Sequence, residues 1–229
     1  MAKIDYRKNY IILIDTETCP INNTINEVNP NNMLVYDIGY HIIDRHNNCY
    51  VERSFIVDDI FFGEYKKMRT GYYYDKLPNY YDELARGSIF NTSWESIVDI
   101  MREDIELYRI NTIAAHNARF DCIALNTTAK YLNKGYMLPY GIEWWDTLKM
   151  ANSTFGKYKK YRKFCEDNNY MTKHKTPRPR MTAECIYRYL TKDTNFIEEH
   201  RAIYDARIES EILKACFDTH RPMVRKLWK

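Results

Sequence analysis

Tyr10-Ile11-Ile12-Leu13-Ile14-Asp15-Thr16-Glu17-Thr18 is the stretch on which the reading of the fold turns. Residues 10–14 form a short apolar run rich in β-branched side chains, the pattern of a buried central strand. The run ends in an acidic pair. Side chains two apart on a strand share a face, so Asp15 and Glu17 project together from the strand end. Like charges this close repel, and a cation between them relieves the repulsion. Taken alone, D-x-E is a weak signal, and a solvated strand end is the commoner explanation.

Outward from this strand, residues 19–32 are rich in Asn and Pro and read as a loop. Residues 33–43 read as a second strand, 44–48 as a polar turn and 49–57 as a third strand, together an antiparallel hairpin. Residues 61–90 are Tyr-rich and match neither period. Cap residues at 91–95 precede Ile97, Ile100, Met101, Ile105 and Tyr108 at helical spacing. A strand at 111–116, a helix at 120–132 and a strand turning into a helix at 143–150 follow. The segment 157–180 is basic and interrupted by Pro177 and Pro179; helices at 182–190 and 203–217 complete the pattern. No repeat or linker divides the chain. The order predicts one mixed α/β domain over 1–229, with a Tyr-rich insertion at 61–90.

Composition narrows the function classes. Of 229 residues, 45% are hydrophobic and 28% charged, which excludes disordered and fibrous classes. No apolar run reaches the ~18 residues of a spanning helix, and no signal-peptide core follows the N-terminus. The six cysteines are scattered without a C-x-x-C pair. That pattern argues against a zinc ribbon or a disulfide framework and suits a cytoplasmic protein with no membrane partner. Many Asn, Lys and Tyr and only 7 Gly point to an A/T-rich bacterial or viral genome. The net charge of +3 decides nothing about partners.

Two further clusters carry chemistry. In His116-Asn117-Ala118-Arg119-Phe120-Asp121 a strand gives way to a helix, which puts Asp121 in the first helical turn. An acid there is also an ordinary response to the helix dipole, and His116 and Asn117 also fit as loop residues bonded to local backbone. In His200-Arg201-Ala202-Ile203-Tyr204-Asp205, five helical positions would leave the two end side chains ~140° apart. His200 is therefore expected on the loop before the helix, with Asp205 on its first turns.

Together the clusters supply Asp15, Glu17, Asp121, Asp205 and one histidine. Oxygen ligands suit Mg²⁺ or Mn²⁺ and not zinc. Two such ions ~4 Å apart are a recurring device for in-line attack on a phosphodiester. A neutral histidine beside the attacking water takes its proton at pH 7.

The three clusters, in this order, resemble the three exonuclease motifs of the DEDD 3′–5′ exonucleases. The H-x-A-x-x-D form of His200 to Asp205 matches the DEDDh branch, whose members include a bacterial polymerase proofreading subunit, RNase T, oligoribonuclease and the TREX enzymes. Asp37-Ile38-Gly39 resembles the family's second strand, Trp145-Asp146-Thr147-Leu148 its D-T-L step, and residues 182–190 the helix before the third motif. The resemblance implies a ribonuclease H-like fold, a mixed sheet flanked by helices. It implies hydrolysis from a 3′ end with release of nucleoside 5′-monophosphates. Asp15, Glu17, Asp121 and Asp205 would hold two Mg²⁺ or Mn²⁺ ions, and His200 would be the general base. Thr18 matches a position near the terminal nucleotide, and His116 and Asn117 match the residues preceding the second motif's aspartate, with a supporting role in substrate binding. Cys19-Pro20 departs from the Thr-Gly often found after the first motif.

A site of four carboxylates needs cations to hold phosphate. Lys159, Lys160, Arg162 and Lys163, interleaved with Tyr158, Tyr161 and Phe164, supply them in the sequence. A solvated basic helix has the same spacing. The tyrosines at 72–74 and 80–81 are equally open between base stacking and packing. The expected partner is nucleic acid with a free 3′ end, DNA in the first reading and RNA in the alternative. A polymerase or another replication or repair protein, and a second copy of the chain, are further expected partners. A nucleic-acid-binding module that lost its activity is the competing class, and the intact acidic set argues against it.

Overall fold

β1, Ile11–Pro20, is buried on both faces, and its alternation sorts its side chains between two apolar clusters. The computed structural model describes residues 4–22, 29–71 and 74–228. Ile12 and Ile14 face Met101, Ile105 and Leu125; Ile11 and Leu13 face Met150, Ile186, Ile208 and Ile212. A strand with helices on both sides reads as a continuous apolar run.

β1 outlasts that run. It pairs antiparallel with β2 (Met33–Ile43) through the acidic residues, Asp15 opposite Gly39 and Glu17 opposite Asp37, with a register shift between Glu17 and Thr18. The loop expected from residue 19 therefore starts only after Pro20, and residues 23–28 of it lie outside the described residues. β2 pairs antiparallel with β3 (Cys49–Val57), the expected hairpin. On the other side of β1 come β5 (Thr112–Ala115) and β6 (Glu143–Asp146), both parallel.

The segment 61–90 packs into the core. It follows α1 (Asp58–Phe61) with α2 (Tyr65–Met68), a 3₁₀ turn at Tyr74–Lys76 and α3 (Leu77–Ala85). It ends in β4, Phe90–Thr92, which pairs parallel with β3 and gives the sheet order β4-β3-β2-β1-β5-β6. Phe61, Met68, Leu77 and Tyr80 are buried, and the Phe61 and Tyr80 rings lie 5.7 Å apart. Tyr80 is thus a packing residue and Tyr81 a surface one, while Tyr72 and Tyr73 lie outside the described residues.

One face carries α4 (Trp94–Tyr108), capped by Ser93, and α5 (Arg119–Tyr131). The other carries α6 (Thr147–Ser153), α7 (Lys159–Asp167), α8 (Ala183–Thr191) and α9 (Ala202–Asp218). Asp146 caps α6 by accepting from the backbone of Leu148 and Lys149. α9 crosses β2 at Gly39, where an added Cβ would lie 2.2 Å from the Ile203 nitrogen. Only glycine lets the backbones approach this closely. This is the mixed α/β sheet flanked by helices that the sequence predicts. Among the described residues no helix is long and apolar enough to cross a membrane.

Candidate active site

The end of β1, the start of α5 and the start of α9 meet in a cleft of about 530 Å³. Asp15, Glu17, Asp121, His200 and Asp205 all line it. Asp121 sits in the first turn of α5, where Thr16 Oγ1 donates to its Oδ1 at 2.8 Å. Asp205 sits in the first turn of α9. His200 precedes that helix with a left-handed φ of 53°, so the ring reaches the cleft from outside the helical path. One ligand atom each from Glu17, His200 and Asp205 lies within 4.8 Å of the others.

Crowding of like charge dominates the electrostatics. Burial, then Glu209, Asp121, Asp205 and Glu17, push the Asp15 carboxyl well above its ordinary range. Burial and Asp205 do the same to Glu17. Burial raises Asp121 to about 7 against the opposing pull of the Thr16 hydrogen bond, and burial with Glu198 raises Asp205 to about 8. Among the described residues the buried Asp205 Oδ1 has no hydrogen-bond partner. An orphaned carboxylate oxygen amid mutually repelling carboxylates is the donor set a hard divalent cation satisfies. The residues fit a metal ion.

The positive groups at the cleft are few. Arg180 lines it. Lys76 arrives from the Tyr74–Lys76 turn, bonds to the Glu199 carbonyl, and its charge lowers the carboxyls of Glu17 and Asp205. Burial and Lys76 lower the His200 imidazole, which favours its neutral form.

Other residues singled out from the sequence lie elsewhere or act differently. His116 is held on both ring nitrogens: Nε2 donates to the Met181 carbonyl at 2.7 Å and Nδ1 lies 2.9 Å from Thr147 Oγ1. It braces α5 against α6 and α8 and has no ring nitrogen left for a nucleotide. Asn117, at φ 66°, donates its backbone N–H to Asp146 Oδ1 at 3.2 Å and leaves its side chain exposed at the cleft. Thr18 follows the register shift, pairs with Val35 and does not line the cleft. Lys159, Lys160, Arg162 and Lys163 sit on α7, away from the cleft lining. Arg162 and Lys163 are already paired one turn on with Glu166 (2.8 Å) and Asp167 (3.0 Å). Opposite charges at i,i+4 on an exposed helix face make such pairs.

Two acids escape a motif-based reading. Glu209 stands one helical turn after Asp205, lines the cleft, is buried, and accepts the His116 backbone N–H at 2.9 Å. Its only sequence signal is the i,i+4 spacing from Asp205. Glu198 also lines the cleft, and burial raises its carboxyl to about 7.

No protein-family model matches the chain, and no curated protein is similar to it in sequence. Solved structures are similar to it in fold. A full-length 3′-exonuclease superposes with a TM-score of 0.59 at 11% identity, over 95% of this chain and 85% of that one. The chain shares its fold. Cell-death related nuclease 4 superposes with a TM-score of 0.50 at 10% identity, over 95% of this chain and 67% of that one. The ribonuclease H-like architecture implied by the motif order is the one observed.

Proposed function

We propose that the protein is a metal-dependent 3′–5′ exonuclease of the DEDDh type, acting on single-stranded DNA. One observation carries the reading. Asp15, Glu17, Asp121 and Asp205, drawn from three separate segments, line one cleft together with His200.

The four carboxylates would hold two Mg²⁺ or Mn²⁺ ions. Bound there, such ions supply Lewis-acid polarisation of the phosphoryl group and a lowered pKa for the attacking water. Thr16 fixes the Asp121 carboxylate through its hydroxyl. His200, favoured neutral by burial and by Lys76, accepts the proton of the attacking water. The water oxygen bonds to phosphorus, the bond from phosphorus to the 3′ oxygen breaks, and that oxygen takes up a proton. The terminal nucleotide leaves with its 5′-phosphate. Asn117, exposed at the cleft, is the candidate contact for that nucleotide.

The test uses 5′-labelled single-stranded DNA and RNA with Mg²⁺ or Mn²⁺, and Asp15→Ala and His200→Ala beside the wild type. A ladder shortening from the 3′ end, lost in Asp15→Ala, supports the reading. The DNA-to-RNA rate ratio decides between the deoxyribonuclease and the exoribonuclease. Retained binding without cleavage in either metal overturns the enzyme reading and leaves a binding module.

A further inference from the structure

A second cavity, of about 810 Å³, is larger than the carboxylate cleft and lies at the other end of the sheet. It is bounded by the start of β1, the turn between β2 and β3, Trp145 on β6 and the stretch after α9. β1 begins beside it at Ile11 and reaches the cleft at Asp15 and Glu17. At ~3.3 Å per residue the two sites stand about 13–20 Å apart.

Their charges are opposite. Arg7, Lys8, Arg45, Arg221 and Arg225 line this cavity, with Asp44 the one carboxylate among the described residues. The cleft sets Asp15, Glu17, Asp121, Glu198, Asp205 and Glu209 against Arg180. The net charge of +3 conceals a molecule polarised from end to end.

Three of these arginines are not committed to acids. Arg7 pairs with Asp5 and Lys8 with Asp44. Among the described residues, Arg45, Arg221 and Arg225 have no carboxylate partner. Arg221 instead lies over the Tyr158 ring at 4.6 Å, and Arg225 lies 5.3 Å from both Trp145 and Phe217. A guanidinium stacked on a ring keeps its in-plane N–H groups for two-pronged bonding to a phosphate. The wall that carries Arg225 is pinned to β6. Asp146 N donates to the Arg225 carbonyl and Leu227 N to the Trp144 carbonyl, each at 2.8 Å, and Lys149 Nζ donates to the Leu227 carbonyl at 2.7 Å.

We infer that this cavity is an exosite that binds the phosphates of a single nucleic-acid strand away from the point of hydrolysis. The choice of a nucleic-acid strand over another polyanion rests on the proposed exonuclease function. Ordered arginines supply the phosphate contacts, and the neighbouring rings of Trp145 and Phe217 offer apolar surface to the bases. A strand whose 3′ end occupies the carboxylates reaches the exosite only when it is long enough to run the length of the sheet. Short substrates do not sense it.

The test measures fluorescence anisotropy of labelled oligothymidylates of two and thirty nucleotides in EDTA, from 50 to 200 mM salt. The proteins are the wild type, Arg45→Glu and the double variant Arg221→Gln/Arg225→Gln. Arg45 is exposed and, among the described residues, has no carboxylate partner, so its variant keeps the fold even if the double variant does not. Expected is a loss of about tenfold in thirty-mer affinity, with a shallower salt dependence by about one unit of slope per phosphate contact removed. Hydrolysis of the dinucleotide in Mg²⁺ stays at the wild-type rate. Thirty-mer affinity unchanged in Arg45→Glu overturns the exosite. So does equal loss on the dinucleotide, or complete displacement of the thirty-mer by stoichiometric thymidine monophosphate, which marks a mononucleotide pocket. A wild type that binds the thirty-mer in this variant-sensitive way but leaves the dinucleotide intact keeps the exosite and removes the exonuclease reading.

Discussion

Thr16 and Asp121 are joined by a 2.8 Å hydrogen bond across 105 positions of sequence, tying the acidic strand end to the first turn of α5. Thr16→Val keeps the shape and removes the donor. It leaves a buried carboxylate oxygen short of a partner, at a cost of about 1–3 kcal/mol. A lower melting temperature and weaker Mg²⁺ affinity by calorimetry are expected, with Thr16→Ser close to wild type. Unchanged Mg²⁺ affinity in Thr16→Val would mean that Asp121 needs no such fixing.

Gly39→Ala places a methyl 2.2 Å from the Ile203 nitrogen and 2.3 Å from the Ala202 carbonyl carbon. Backbone on both sides leaves no flexible group to yield. α9 must move, and Asp205 with it. The expected outcome is a folded protein of lower melting temperature and at least tenfold lower rate of the proposed hydrolysis. Wild-type rate and stability together would show that the helix start is not held as described.

The acidic cluster sets a pH dependence of stability whose sign follows from the direction of its shifts. Carboxyls raised in the folded state, Asp121 to about 7 and Asp205 to about 8, bind protons that the unfolded chain has released. Their destabilising effect begins above the ordinary carboxyl range near 4 and grows until pH passes about 8. In EDTA the melting temperature should fall as pH rises from 5 to 8. Mg²⁺ should restore it, by more at pH 8 than at pH 5, because a cation replaces the protons. A Mg²⁺ effect independent of pH would contradict this linkage.

Arg201 and Asp37 form a buried pair at 3.1 Å, with the Tyr80 hydroxyl donating to the same Asp37 oxygen at 2.8 Å. The Arg201 guanidinium also lies 4.1 Å from the Tyr80 ring centroid and reaches Glu83 at 2.5 Å. Arg201→Met strands a buried carboxylate, at a cost of about 3–5 kcal/mol. Tyr80→Phe removes one bond, at about 1 kcal/mol. Urea denaturation should rank them in that order. A reversed ranking would mean that the hydroxyl, not the ion pair, holds Asp37.

Local patterns carried much of this structure. The run from Tyr10, the hairpin of β2 and β3, the Ser93 cap and the first turns of α5 and α9 are each specified within a few residues. The five motif residues could be grouped because Asp15 and Glu17 close an apolar run and Asp121, His200 and Asp205 flank or open helices, positions that local patterning defines. β4 could not be found that way: three residues pair with β3 only because α1 to α3 pack Phe61, Met68 and Tyr80 into the core. Lys76 reaches the cleft by the same long-range packing. The α7 cations looked ready for phosphate in the sequence, but Glu166 and Asp167 one turn on engage two of them. Glu209 was hidden because a glutamate at helical spacing normally marks a solvated face.

The Ala202 backbone N–H donates to Asp37 across 165 positions of chain, so α9 docks on a sheet made long before it. Synthesis runs from the N-terminus at roughly 5–20 residues per second, and long-range closure of this kind comes late. Every nascent chain thus passes through an interval in which β1 already displays Asp15 and Glu17 but His200 and Asp205 do not yet exist. The proposed nuclease is inert throughout that interval. The order of its parts along the chain thus withholds the complete proposed site until α9 has been made.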